Sequence, residues 1–158
     1  MFSIHPPLIT LLSRRICVYL RASAANKTRR KIMDLDHLKP LTEKIIGCAF
    51  KVSNTLGPGF LEKVYENALA HELRKAGLDF HQQYPISVLY DGTVVGEFFA
   101  DLLVNEQIVI ELKAAKNLDD AHLAQCLNYL KATGLPLCLL INFGTPRVQI
   151  KRVALTQQ

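Results

Sequence analysis

The chain has 158 residues, of which 49% are apolar and 21% are charged. This length is enough for one domain with a sizeable hydrophobic core, and this composition excludes a disordered chain. No apolar run reaches the roughly 18 residues that suggest a membrane-spanning helix, so the sequence predicts no membrane partner.

The net charge of +5 is concentrated near the amino terminus. Residues 1–33 contain seven of the 19 Lys and Arg residues and none of the 14 Asp and Glu residues. Residues 34–158 therefore contain 12 basic and 14 acidic side chains, which is a net charge of −2. Overall charge gives no argument for nucleic-acid binding by this part of the chain, and any such argument must rest on a local site.

Residues 1–32 differ in composition from the rest of the chain. They are basic, lack acidic residues and contain Ser and Pro, which is typical of a mitochondrial transit peptide. A misassigned upstream start is the preferred alternative, because Met33-Asp34 begins a stretch of different composition, and a short basic nucleic-acid-binding arm is a third. In each case we expect a disordered leader followed by one folded domain over 33–158. The expected location is cytoplasmic, or organellar if the leader is a genuine transit peptide.

Two helices are predicted at the start of the domain. Apolar residues recur at helical spacing between Leu41 and Val52, which predicts a helix over about 40–55. Gly57-Pro58-Gly59 ends this helix. A second helix is predicted over 61–76, with Glu66 on its solvated face.

The hydrophobic period then changes to the alternation typical of strands. Strands are predicted over 86–90, 94–104, 108–114, 137–141 and 148–155. Asp91-Gly92 is a strong hairpin-turn signal, and Asp119 or Asp120 is placed to cap a helix that extends to Thr133. The apolar run over 137–141 fits a strand that is covered on both faces. The order ααβββαββ predicts a single α/β domain, an α+β arrangement in which helices flank a mixed sheet.

Three charged residues interrupt two of the predicted core strands. Asp101 lies within FFADLLV, and Glu111 and Lys113 lie within IVIELKA. Burying an ion is costly unless it has a partner, so these residues need an explanation. Strand geometry places Glu111 and Lys113 on one face and Leu112 on the other. A carboxylate here can bind a hard cation such as Mg²⁺, and the ammonium can orient water or offset charge on a phosphate.

The turn between these two strands decides whether Asp101 joins the pair. A two-residue turn, Asn105-Glu106, sets Asp101 and Glu111 on opposite faces. A three-residue turn that ends at Gln107, or a bulge, sets them opposite each other on one face, as a metal site requires. The alternative is a strand-end Asp101 beside a solvated Glu111–Lys113 pair, since ExK alone is a common tripeptide.

The pattern of Asp101 followed by Glu111-x-Lys113 resembles the PD-(D/E)XK nuclease superfamily, although Ala100 stands where the nominal motif has Pro. The segment Gly59-Phe60-Leu61-Glu62-Lys63-Val64-Tyr65 matches the GxxExxY signature of a small branch of that superfamily. Gln125-Cys126-Leu127-Asn128-Tyr129 matches the QxxxY motif on the helix after ExK in its RecB-like branch. The resemblance covers about residues 36–155 and implies a restriction-endonuclease-like core.

The resemblance also implies a metal site. Asp101, Glu111 and the backbone carbonyl of Leu112 would hold Mg²⁺ or Mn²⁺. Glu62 would add an acidic ligand, directly or through water, and Tyr65 would support the site by packing.

The implied activity is that of a metal-dependent nuclease that hydrolyses phosphodiester bonds, with DNA favoured over RNA as substrate. Lys113 would help deprotonate or orient the attacking water. Gln125 and Tyr129 share a helix face and would position Lys113 or the nucleic-acid strand. Because many nucleases of this fold pair up to cut both strands, the resemblance leaves a homodimer open. One alternative is a catalytically inert nucleic-acid-binding or assembly module that retains the fold, which the acidic domain favours, and another is a metabolic enzyme acting on a small phosphate ester.

Overall fold

A computed structural model describes residues 35–155. The predictions for residues 1–32 lie outside this range. After a short 3-10 helix at Asp36–Leu38, the elements are α1 (Lys39–Leu56), α2 (Glu62–Lys75), β1 (Phe80–Tyr90), β2 (Thr93–Val104), β3 (Ile108–Lys113), α3 (Asp120–Thr133), β4 (Leu137–Asn142) and β5 (Gln149–Val153). The predicted order ααβββαββ is confirmed. Among residues 35–155, no helix combines the length and the apolar composition needed to cross a membrane.

The five strands form one mixed sheet in the order β1-β2-β3-β4-β5. All neighbouring strands are antiparallel except β3 and β4, which are parallel and are joined through α3. A parallel pair needs such a crossover connection, because a tight turn cannot join two strands that run in the same direction. Helix α3 provides this crossover.

Two hydrophobic cores lie on opposite faces of the sheet. The first packs α1 and α2 against one face, and its members include Ile45, Leu69, Leu102, Ile110 and Leu139. The second packs α3 against the other face, and its members include Leu103, Val109, Cys126, Leu130 and Leu140. Every residue of β4 is buried, as its continuous apolar sequence predicts.

Strand β1 begins six residues earlier than its alternating pattern predicts. It starts at Phe80 rather than Ile86, and the intervening segment is polar and mostly exposed. Because β1 is an edge strand, these residues pair with β2 without burying an apolar face. Alternation of apolar and polar residues cannot reveal such a segment.

The turns and caps follow the local sequence signals. Asp91 and Gly92 form the β1–β2 turn with φ of 49° and 77°, the left-handed conformation that favours Asp-Gly. Asp119 caps α3: its Oδ1 accepts a hydrogen bond from the His122 N–H at 3.0 Å, and its own N–H donates to His122 Nδ1 at 3.2 Å. Gly134 ends α3 with φ of 70°.

The outer end of the β1–β2 hairpin exposes large apolar side chains. They are Leu89, Tyr90, Val94, Val95, Phe98 and Phe99. The apolar residues that predict these two strands therefore mark exposed as well as buried positions.

Candidate active site

The turn between β2 and β3 has three residues. The strands pair Val104 with Ile108, and Leu102 with Ile110, so Asn105–Gln107 form the turn. Continuing the same register by one pair sets Asp101 opposite Glu111. The structure thus has the three-residue arrangement that a metal site requires.

Strands β2 and β3 separate where Asp101 and Glu111 meet. The paired residues end at Leu102, and the backbone N–H of Leu112 donates instead to Asp101 Oδ2 at 2.7 Å. A side-chain carboxylate therefore takes the place of a backbone acceptor on β2. Because the N–H and C=O of one strand residue point to the same side, the Leu112 carbonyl faces the same gap.

Glu111 and Lys113 form a buried ion pair. Lys113 Nζ lies 2.6 Å from Glu111 Oε1, and their side chains are only 14% and 4% exposed. Glu111 Oε2 is buried and has no hydrogen-bond partner. The alternative of a solvated pair is therefore wrong. A buried carboxylate oxygen without a partner is costly, and an ion or water that joins it would relieve this cost.

Burial and neighbouring negative charge disfavour ionisation of both strand carboxyl groups. Burial, followed by the charge of Asp101, raises the pKa of Glu111 to about 7, against the opposing effect of Lys113. Burial is also the main cause that raises the pKa of Asp101, and the Leu112 N–H opposes it. A cation beside both groups would favour their charged forms.

Lys113 keeps its charge in this environment. Burial lowers the pKa of its ammonium group, but the hydrogen bond and charge of Glu111, followed by the charges of Glu62 and Asp101, outweigh burial and raise the pKa overall. At neutral pH the side chain therefore holds its proton.

Glu62 lies beside this group at the start of α2. Its side chain is exposed, and its Oε1 accepts a hydrogen bond from the Ala114 N–H at 3.2 Å, directly after β3. Its charge contributes to the raised pKa values of both Asp101 and Glu111, after the larger effect of burial. Glu62, the predicted additional acid, is thus close enough for its charge to disfavour ionisation of the two strand carboxyl groups.

Tyr65 fixes the segment that leads into α2. Its hydroxyl donates to the Gly57 carbonyl at 2.8 Å and accepts from the Phe60 N–H at 3.1 Å. Its buried ring stacks on Phe143, with ring centroids 4.7 Å apart. These contacts hold the first turn of α2, and hence Glu62, against the ends of β3 and β4.

Gln125 and Tyr129 pair with each other on α3. Gln125 Nε2 donates to the Tyr129 hydroxyl at 2.6 Å, and that hydroxyl donates to the Phe99 carbonyl at 3.3 Å. Burial, followed by the charge of Glu111, raises the pKa of Tyr129 to about 12. In the described part of the chain these hydrogen bonds brace β2 two residues before Asp101, and they do not reach Lys113.

Glu66 is buried, so the prediction of a solvated position is wrong. Its side chain is 4% exposed and accepts hydrogen bonds from Lys63 Nζ at 2.7 Å, Gln82 Nε2 at 2.9 Å and Gln83 Nε2 at 2.9 Å. The start of β1 covers this face of α2, and the polar sequence of that segment conceals the strand. The adjacent amides Gln82 and Gln83 were the available signal for a buried acid.

Comparison with known proteins places this arrangement in a family. Residues 39–153 match the family profile of the PD-(D/E)XK nuclease superfamily. The chain belongs to this superfamily. The expected restriction-endonuclease-like core is confirmed. No curated protein matches the chain.

Two solved structures are similar to this chain. The crystal structure of SSO0001 has a TM-score of 0.49 and 18% identity, covering 78% of this chain and 62% of that chain. An alkaline exonuclease from Laribacter hongkongensis has a TM-score of 0.42 and 13% identity, covering 73% of this chain and 82% of that chain. The chain thus spans less than two thirds of the length of SSO0001.

PD-(D/E)XK nucleases generally use divalent metals, and the oxygen donors of this chain fit such an ion. Residues 35–155 contain no group of three Asp, Glu, His or Cys side chains placed to hold a metal ion, and Lys113 and the Leu112 N–H each engage one of the two strand carboxylates. Mg²⁺ is, however, commonly bound by one or two carboxylates together with several waters. The unpartnered oxygen of Glu111, the Asp101 carboxylate and the Leu112 carbonyl form an oxygen-rich group of that kind.

Proposed function

We propose that this protein is a metal-dependent nuclease of the GxxExxY branch, which uses Mg²⁺ or Mn²⁺ to hydrolyse phosphodiester bonds in DNA or RNA. The observation that carries the proposal is the meeting of Asp101 and Glu111 where β2 and β3 separate, with one Glu111 oxygen buried and unpartnered. Membership of the PD-(D/E)XK nuclease superfamily supports nucleic acid as the substrate class. The chain also contains the GxxExxY residues Gly59, Glu62 and Tyr65.

Four residues are proposed to hold the metal. Asp101, Glu111 and the Leu112 carbonyl would supply oxygen ligands, and Glu62 would contribute directly or through water. When bound, a divalent cation offsets negative charge on the phosphate and lowers the pKa of a bound water. The chain's own contribution is to present these oxygens from two strands and one helix end that hydrogen bonds hold in place.

Lys113 is proposed to orient the attacking water and to offset charge that develops on the phosphate oxygens. Its raised pKa keeps the ammonium protonated at neutral pH, which supports this role over that of a general base. Its ion pair with Glu111 sets its position on the same strand face. Gln125 and Tyr129 are proposed to position the site through β2, because their hydrogen bonds end at Phe99.

The direct test is incubation of the purified protein with single-stranded, double-stranded and branched nucleic acids, in Mg²⁺, Mn²⁺ or EDTA. We expect metal-dependent cleavage that Lys113→Ala abolishes while circular dichroism shows that the protein is still folded, with a lower thermal midpoint because Glu111 loses its ion-pair partner. Lys131→Ala, which alters an exposed lysine of α3, is the matched control and should cleave normally. Cleavage by Lys113→Ala at the wild-type rate would refute the role given to this lysine.

A second candidate is an inert nucleic-acid-binding or assembly module that retains the nuclease fold. The observation in its favour is that Lys113 Nζ already occupies one Glu111 oxygen at 2.6 Å, and residues 35–155 offer no ready three-carboxylate group. This candidate predicts nucleic-acid binding in a gel-shift assay without cleavage of any substrate and without metal binding. Cleavage that EDTA stops would exclude it.

A further inference from the structure

Gln83 has an unusual backbone conformation inside strand β1. Its φ is 51°, in the left-handed region that a glutamine rarely adopts. Its neighbours Gln82 and Tyr84 pair with Leu102 and Ala100 of β2, so Gln83 lies opposite Asp101. The other described non-glycine residues with positive φ all lie in hairpin turns: Asp91, Asn105 and Glu106. Strain of this kind persists only where surrounding contacts maintain it, and it is often found at functional sites.

The Gln83 side chain contacts two carboxylates. Its Nε2 lies 2.9 Å from Glu66 Oε2 and, in a longer contact, 3.4 Å from Asp101 Oδ1. A carboxamide nitrogen carries two hydrogens, so it can donate to both acceptors. Since the Leu112 N–H occupies Asp101 Oδ2, both oxygens of the Asp101 carboxylate have a donor.

Glu66 determines which way the Gln83 amide is turned. This buried acid is held by Lys63 on its own helix and by Gln82 on β1. Reversing the amide would place the Gln83 carbonyl oxygen against two carboxylates, which is repulsive. The nitrogen of Gln83 is therefore the atom presented to Asp101.

We infer that Gln83, anchored by Glu66, is a positioning residue that fixes the Asp101 carboxylate for metal binding. This inference rests on the proposed function and deepens it. A ligand that is already held in its binding orientation loses less conformational freedom when the ion binds. The strained backbone of Gln83 directs its side-chain amide between Glu66 on α2 and Asp101 on β2. The side chain of a regular strand residue would point to one face of the sheet only.

The test removes the amide while keeping the backbone. Gln83→Gly in the full chain tolerates a φ of 51°, because glycine adopts this region without a steric penalty. The matched control is Gln82→Ala, which removes hydrogen bonds to Glu66 and Asn67 but no contact with Asp101. Lys63 still holds Glu66 in this variant, so Gln83 keeps its anchor. Gln83→Gly should raise the dissociation constant for Mn²⁺, measured by calorimetry with the metal alone, by about tenfold. Gln82→Ala should change this constant by much less than tenfold, because Gln82 does not contact Asp101.

A second readout does not involve metal. The Leu112 amide donates to Asp101 Oδ2, so its hydrogen-exchange rate in EDTA reports how firmly the carboxylate is held. We expect faster Leu112 exchange in Gln83→Gly and an unchanged rate in Gln82→Ala. Unchanged Leu112 exchange in Gln83→Gly would overturn the inference, as would faster exchange with unchanged Mn²⁺ affinity. Absence of Mn²⁺ binding by the wild type would refute the proposed function instead, and it would leave Leu112 exchange to decide whether Gln83 holds Asp101.

Discussion

Glu111 is the residue in which the requirements of folding and of the proposed chemistry conflict. Its carboxyl is buried, one oxygen has no partner, and the charge of Asp101 lies nearby. The ion pair with Lys113 opposes these costs. A group that is unfavourable in the folded, metal-free protein becomes favourable when a cation joins it, so the same features that weaken the fold can strengthen metal binding.

The raised pKa of Glu111 predicts a pH dependence of stability. The folded-state pKa is about 7 against an ordinary value of 4.5, so the folded protein binds more protons than the unfolded chain between these pH values. The free energy of unfolding should therefore fall as pH rises through this window, with Glu111 contributing about 3 kcal/mol. The measurement is urea unfolding at pH 5 to 8 in EDTA. We expect the free energy of unfolding of Glu111→Gln to fall less steeply with pH than that of the wild type below about pH 7, because the variant has no carboxyl to titrate.

The control for this prediction is Glu97→Gln, which alters an exposed acid on β2. It should retain the wild-type pH dependence. If Glu111→Gln and wild type show the same slope, the Glu111 carboxyl is not the buried, destabilised group that the structure describes.

At the scale of elements, the sequence predicts the helices and strands well but not how β2 and β3 pair. Apolar alternation is equally compatible with a two-residue and a three-residue turn, because both leave each strand's own pattern unchanged. The choice depends on the backbone at Asn105 and Glu106, which have φ of 50° and 56°. Neither residue is glycine, so the sequence carries only a weak signal for this conformation.

The turn conformation can be tested at Glu106. Glu106→Gly should be more stable than Glu106→Ala by about 1 kcal/mol, because glycine relieves a positive φ that alanine does not. The two variants remove the same side chain and its exposed contact with His81, so their difference isolates the backbone. Thermal or urea unfolding of both proteins is the measurement. Equal stabilities would show that the turn does not have this conformation, and the register argument would lose its support.

Two errors of sequence interpretation have one physical origin. The first residues of β1 are polar, exposed and paired only on one side, so they show no alternation. Because the sequence does not predict this part of β1, it offers nothing to cover Glu66 on α2, and the residue is predicted to be solvated. Its burial against Gln82 and Gln83 is a tertiary contact between segments about 16 residues apart, which periodicity within either segment cannot reveal. The hydrogen bond from Tyr129 on α3 to the Phe99 carbonyl on β2 is also a tertiary contact, so periodicity cannot reveal it either.

At the scale of the whole molecule, charge is divided unevenly along the chain. Residues 34–158 have a net charge of −2, while residues 1–33 contain seven basic residues. Affinity for phosphate comes largely from Lys and Arg, through release of counterions. Residues 34–158 therefore have no excess of positive charge for a general electrostatic attraction to nucleic acid.

This distribution predicts the behaviour of a shortened chain. Residues 33–158 should unfold cooperatively with the same thermal midpoint as the full chain, because all the helices and strands described above lie within this range. The full chain should bind nucleic acid with a steeper dependence on salt, since seven basic residues are removed by shortening. Fluorescence anisotropy over a salt series measures this slope. A large fall in the thermal midpoint on shortening would contradict the predicted domain boundary.

The central claim is that Asp101 and Glu111 form a divalent-metal site, and calorimetric titration with Mg²⁺ or Mn²⁺ tests it most directly. The wild type should bind at millimolar metal or below, and Asp101→Asn should abolish binding because it removes a charged oxygen ligand. Asp91→Asn is the matched control, since asparagine accepts the left-handed turn conformation of that position and should bind as the wild type does. Loss of binding in Asp101→Asn alone is the predicted result, and either no binding by the wild type or equal binding by Asp101→Asn would contradict the claim.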